Sequence, residues 1–219
     1  MPSPKNYNQM LSKLGKRTFL CTLVFLVALR FFELVPKVEI DSSLAPPVKD
    51  HKELIEWLFS FGAIPLIGAG IAWFCSSFFE VHNKLSKIIQ LRYLWDRVSI
   101  VAPMLKRTGL EQELNRTRVR EIMNGLYYPE VQNIDQHYVH IFWRYALQFW
   151  VIFEHLLVVL ITVIALWVVN RSIPDKGLFI YLGLVFLIAV VHWFFVVTNK
   201  SKDQSDQIPS QSIRSFFKN

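Results

Sequence analysis

The chain has 219 residues, 53% of them hydrophobic and 15% aromatic, with a net charge of +7. The apolar residues come in blocks rather than at helical or strand period, which excludes an ordinary soluble domain. No alternating segments of about ten residues occur, which excludes a membrane β-barrel.

What remains is an all-α integral membrane protein. A hydrocarbon core of about 30 Å needs about 20 helical residues to cross it. Four blocks qualify, at 18–35, 54–79, 145–169 and 177–198, the first barely. They predict two transmembrane hairpins, 18–79 and 145–198, with a cytosolic helical segment between spans two and three at 80–144. Residues 1–17 form a basic cytosolic leader with Lys5, Lys13, Lys16 and Arg17. The apolar run that follows is longer than a cleaved signal and lacks a small-residue cleavage site, so it reads as an uncleaved signal anchor. Arg30 and Glu33, three residues apart near its outer end, are placed to pair while Arg30 snorkels. Cys21 and Cys75 both lie inside predicted spans and imply no disulfide framework.

Span two reads "FGAIPLIGAGIAWFCSSFF". Gly68, Ala72 and Ser76 repeat every four residues, a small-residue face that lets another helix approach closely. Pro65 removes a backbone donor and is expected to kink the helix. Such broken spans also form ion sites in transporters, but ordinary packing is the preferred reading here.

Within 80–144, Val81, Leu85, Ile88, Trp95, Val98 and Ala102 fall at helical spacings. They predict an amphipathic helix that continues from span two and ends near Pro103. A second polar helix follows, with Gly125 placed to terminate it and Pro129 beyond. A third runs on into span three. The tail, 199–219, reads as disordered, and its end "IRSFFKN" as idle more than membrane-touching.

Span three carries a polar stripe. At about 100° per residue, His137, His140, Arg144, Gln148, His155 and Thr162 share one arc, with Glu154 just outside it. Glu154 and His155 lie about 12–14 Å into the bilayer at 1.5 Å per residue. Counting outward from the turn at 170–176 brings His192 of span four to nearly the depth of His155. Glu154, His155, His192 and Gln148 are therefore expected to form one intramembrane polar cluster. Such a cluster suits a metal site, a proton- or ion-linked element or a structural clamp, and the clamp is the leading reading. No metal and no cofactor are expected. Nor is an enzyme, because no phosphate-binding glycine loop, HExxH, GxSxG or CxxC occurs.

Lysines and arginines number 4 in the leader, 10 in residues 80–144 and 4 in the tail, against 3 and 2 in the loops 36–53 and 170–176. This bias predicts both termini and the long middle segment in the cytoplasm of an inner-membrane, multi-pass protein. A nucleic-acid role for the charge is the weaker reading. The outer loops are too short for a folded domain, so any specific partner acts in the membrane or the cytosol.

A short outer loop, a kinked span and a cytosolic stalk together resemble the layout of small transmembrane effectors of bacterial anti-phage systems, of the retron and Kiwa types. The resemblance is to layout and transfers no residues. It implies membrane disruption or depolarisation on a cytosolic signal in antiviral defence. The partners expected are the lipid bilayer, a cytosolic protein or nucleic-acid-containing sensor complex, and further copies of the chain. An immunity protein against a pore-forming toxin and a small transporter or channel subunit are the alternatives.

Overall fold

A computed structural model describes residues 4, 6–32, 34, 63–170 and 174–218. It is all-α, with no strand among the described residues. The helices are α1 (Tyr7–Phe31), α2 (Ile64–Ser77), α3 (Val81–Ile88), α4 (91–108), α5 (116–131), α6 (Gln136–Asn170), α7 (Lys176–Ser205) and α8 (Ser210–Phe216). Four helix starts are set by short polar side chains that accept orphan backbone N–H groups. Asn6 accepts from Gln9 at 2.9 Å, Asn115 from Arg118 at 2.8 Å, Asp135 from His137 at 2.8 Å and Asp175 from Gly177 at 2.7 Å.

Two helices, α6 and α7, are long and apolar enough to cross a membrane. A third candidate is the pair α2 and α3, which is bent by 63° and is either a broken span or a re-entrant loop. Two to three membrane-competent helices are therefore present among the described residues. Helix α1 falls short because any 18 of its consecutive residues include at least three of Lys13, Lys16, Arg17 and Arg30. Residues 35–62, which hold the predicted outer loop and the start of span two, lie outside the described residues.

The continuous helix expected from span two to Pro103 is not formed. The chain breaks at Phe78–Glu80, where Glu80 adopts φ 46°, and again at Gln90, with φ 57°. Left-handed backbone at residues with a Cβ is uncommon and ends a helix. Pro103 opens a helical turn (Ala102–Thr108) instead of closing one, because its missing N–H costs nothing at a first turn. The stop falls at Gly109, φ 69°. Gly125 does not terminate α5 either. It sits in a π turn, Met123–Tyr127, and a Cβ there would come within 2.9 Å of the Phe216 ring, so it serves close approach.

The chain forms two compact units. The first contains residues 1–10, 81–150 and 187–219, and the second 11–80 and 151–186. In the first, α4, α5, α8 and the polar end of α7 pack around Ile100, Met104, Ile122, Ile208 and Ile213, all essentially inaccessible. The tail expected to be disordered is thus helical and part of this core. Its Ile208 and Ile213 supply apolar surface, and Arg107 donates to the carbonyls of Asp206 and Ile208. Composition hid this, because two isoleucines among many polar residues were enough to seat it.

The second unit has an apolar core of Phe25, Leu26 and Leu29 from α1, Val159, Val163 and Leu166 from α6, and Leu178 from α7. Its outside is apolar too: Phe31, Ile67, Ile161, Val169 and Ile180 are each more than half exposed. A surface of that kind suits a lipid environment and not water.

Candidate functional site

In the second unit, Glu154 of α6 is buried and accepts a hydrogen bond from the Thr18 hydroxyl of α1. One turn of sequence therefore supplies a carboxylate to a different helix from the one expected. His155 faces α7: its Nε2 lies 2.7 Å from the Tyr181 hydroxyl. Phe25 stacks on Tyr181 at 5.5 Å and meets His155 edge-on at 5.3 Å. Polar groups removed from water need such partners.

The four residues expected to cluster are divided between the two units, Glu154 and His155 in the second and Gln148 and His192 in the first. His192 belongs to the first unit, where its Nε2 lies 3.4 Å from the Tyr145 carbonyl. Tyr145 precedes His155 by ten residues on the same helix, about 15 Å along it. Counting outward from the turn assumed symmetric registry, whereas α6 pairs Tyr145 with His192 and His155 with Tyr181. Gln148 is half-buried in the first unit. Arg144 is exposed, its guanidinium 5.2 Å from the Tyr145 ring.

The small-residue face of α2 is used for packing. A Cβ on Gly68 would meet Leu26 Cδ1 of α1 at 2.5 Å, Ala72 is half-buried and Ser76 buried. Helix α1 answers with Gly15, where a Cβ would lie 2.0 Å from Ser77 Oγ and 3.3 Å from Trp73. Gly15 was missed because it stands alone in a basic stretch, without a second small residue four away. Pro65 is buried in the first turn of α2, and the residues before Ala63 lie outside the description, as does Glu33, the expected partner of the buried Arg30.

The first unit holds a cavity of about 110 Å³ that sequence reasoning did not foresee. Its walls include Trp95, Trp143 and Trp150, with Asp96, Tyr127 and the buried His82. Trp95 is the hub. Its ring meets Trp193 edge-on at 4.8 Å and stacks on Trp150 at 5.9 Å, and its Nε1 donates to Ser201 Oγ at 2.9 Å. Tyr127 donates to Gln204 Oε1 at 2.6 Å, and burial holds its hydroxyl well above the ordinary range, so it stays a neutral donor. Burial also pushes the Asp96 carboxyl up to about 6, against the opposing effect of the Arg92 guanidinium. Trp95, Tyr127 and Trp193 each stand in or beside a π turn, at Asp96–Val101, Met123–Tyr127 and Trp193–Val197. Such turns insert an extra residue that re-aims side chains, and they recur at functional sites. The signal available was weak: Trp143 and Trp150, seven apart, read as one apolar helix face.

Among the described residues, no three His, Cys, Asp or Glu side chains converge on a position that could hold a metal ion. No solved structure matches this chain. The chain is 35% identical over 221 residues to the uncharacterized protein YmfE of Escherichia coli (strain K12), covering 98% of this chain and 94% of that protein. The model of the YmfE protein family matches residues 6–219, and the chain belongs to that family.

Proposed function

We propose a four-span inner-membrane protein, with both termini and residues 80–144 cytoplasmic, that compromises the bilayer when a cytosolic partner acts on its helical unit. One observation carries the reading. The first unit gathers three separate segments, 1–10, 81–150 and 187–219, and holds fifteen of the twenty-four lysines and arginines. A chain that leaves this unit twice and returns twice crosses an even number of times on each excursion. That agrees with two hairpins and with the positive-inside rule. Helix α1 then crosses despite its charges, because Lys13, Lys16 and Arg17 sit at its cytoplasmic end and Arg30 at its outer end.

Coupling follows from helix length. Helices α6 and α7 contribute residues to both units, so a partner that repacks one end of either moves the other. A shift between two populations needs a few kcal/mol of differential binding, which a protein interface supplies. Release of Glu154 and His155 from Thr18 and Tyr181 would expose polar groups able to line an oligomeric pore. Antiviral defence is the proposed setting on layout resemblance alone.

The test is expression in cells loaded with a membrane-potential dye, with and without the neighbouring genes. Loss of potential that requires an intact 80–144 segment supports the effector. Normal potential under every condition, with protection from an added pore-forming toxin, replaces it with an immunity role.

A further inference from the structure

Helices α4 and α5 enclose a second cavity in the first unit, a groove of about 470 Å³. Four cationic side chains line it: Lys87 at the end of α3, Arg92 on α4, and Arg116 and Arg120 on α5. All four are exposed. Tyr93 and Tyr128 supply two aromatic faces, and the Tyr93 hydroxyl ties down the segment between α4 and α5 by donating to the Leu114 carbonyl at 2.9 Å.

The charge arrangement is one-sided. Two neighbouring arginines have carboxylate partners: Arg118 pairs with Glu121 at 2.8 Å and Arg107 with Asp206 at 3.8 Å. Among the described residues Lys87, Arg116 and Arg120 have no such partner. Arg116 and Arg120 stand four apart on one helix, a like-charge spacing that costs helix stability unless an anion lies between them. Asp96 is the one carboxylate in the lining, and even when ionised it balances only one of the four cations. Arg92 donates to Asn83 Oδ1 at 3.3 Å.

We infer that this groove binds a ligand bearing two or more phosphate groups, held by Arg116, Arg120, Lys87 and Arg92, with Tyr93 and Tyr128 flanking its non-phosphate part. Guanidinium forks suit phosphate oxygens through paired, charge-assisted hydrogen bonds. The volume takes a nucleotide-sized molecule, and a diphosphate lipid headgroup has the same chemistry. Binding at this groove stands whether or not the spans respond to it.

The experiment titrates the full-length protein in detergent with ATP and with inorganic pyrophosphate by calorimetry. In parallel it is reconstituted into phosphatidylcholine nanodiscs with and without cardiolipin, and cardiolipin retention is read by native mass spectrometry. Binding of ATP or pyrophosphate that weakens with added salt, and drops about tenfold or more in Arg116→Gln/Arg120→Gln but not in Lys106→Ala, assigns a soluble ligand. Selective cardiolipin retention lost in the same double variant assigns a lipid headgroup. The wild-type measurements come first and do not depend on any variant folding. Neither ligand bound, or binding undiminished in the double variant, overturns the inference.

Discussion

Glu154 and Asp96 show how differently two carboxylates can be held in one chain. The Glu154 side chain is an acceptor for Thr18, so Glu154→Gln, which keeps an acceptor, is expected to shift thermal unfolding in detergent by less than about 1 kcal/mol. Glu154→Leu strands the buried Thr18 hydroxyl and should cost about 1–2 kcal/mol. If Glu154→Gln instead abolishes depolarisation while insertion and stability stay normal, the residue carries protons rather than structure. Asp96 works against the fold when ionised. Its pKa in the folded protein, about 6, lies above the ordinary 3.8, so the folded state binds more protons between those values. Stability then falls as pH rises from about 4 to 6, and the penalty is fully present above that window. Asp96→Asn should therefore raise the unfolding midpoint at pH 8, by on the order of 1–3 kcal/mol, and leave it nearly unchanged at pH 4. Equal effects at both pH values would show that burial does not control this group.

At the scale of elements, two close approaches fix how α1 and α2 meet. Gly68→Leu must displace Leu26 and is expected to destabilise the second unit by about 1–3 kcal/mol. Leu66→Ala, at a position nearly half exposed, should change little in detergent. The sequence showed this face through its four-residue repeat, but not Gly15, whose role exists only because Ser77 and Trp73 come to lie opposite it. Apolar runs were equally readable: α6 and α7 fall where the hydropathy blocks put them. Breaks were not. Glu80 and Gln90 end helices by adopting left-handed backbone, for which a charged or amide side chain is no sequence signal. Registry was not readable either, so equal counting from a turn set His192 beside His155 when its partner is the Tyr145 carbonyl. The tail is the clearest case of tertiary context overriding composition. Deleting residues 199–219 removes Ile208, Ile213 and the Gln204 acceptor of Tyr127, and should abolish cooperative unfolding of the first unit. Unchanged unfolding would mean that these contacts contribute nothing.

For the whole molecule, the division of labour follows from which surfaces want water. The second unit is apolar outside as well as inside. The first gathers most of the cationic residues together with an aromatic and hydrogen-bonded interior. Aromatic rings with polar tips settle readily where hydrocarbon gives way to water. Helices that extend from one environment into the other can turn a binding event into a change among the spans, and this proposal needs the first unit to lie wholly on the cytoplasmic side. Reporter fusions after residues 45, 110, 173 and 205 test that requirement most directly. The account predicts outside signals at 45 and 173 and inside signals at 110 and 205. An outside signal at 110, or opposite signals at 110 and 205, would contradict it.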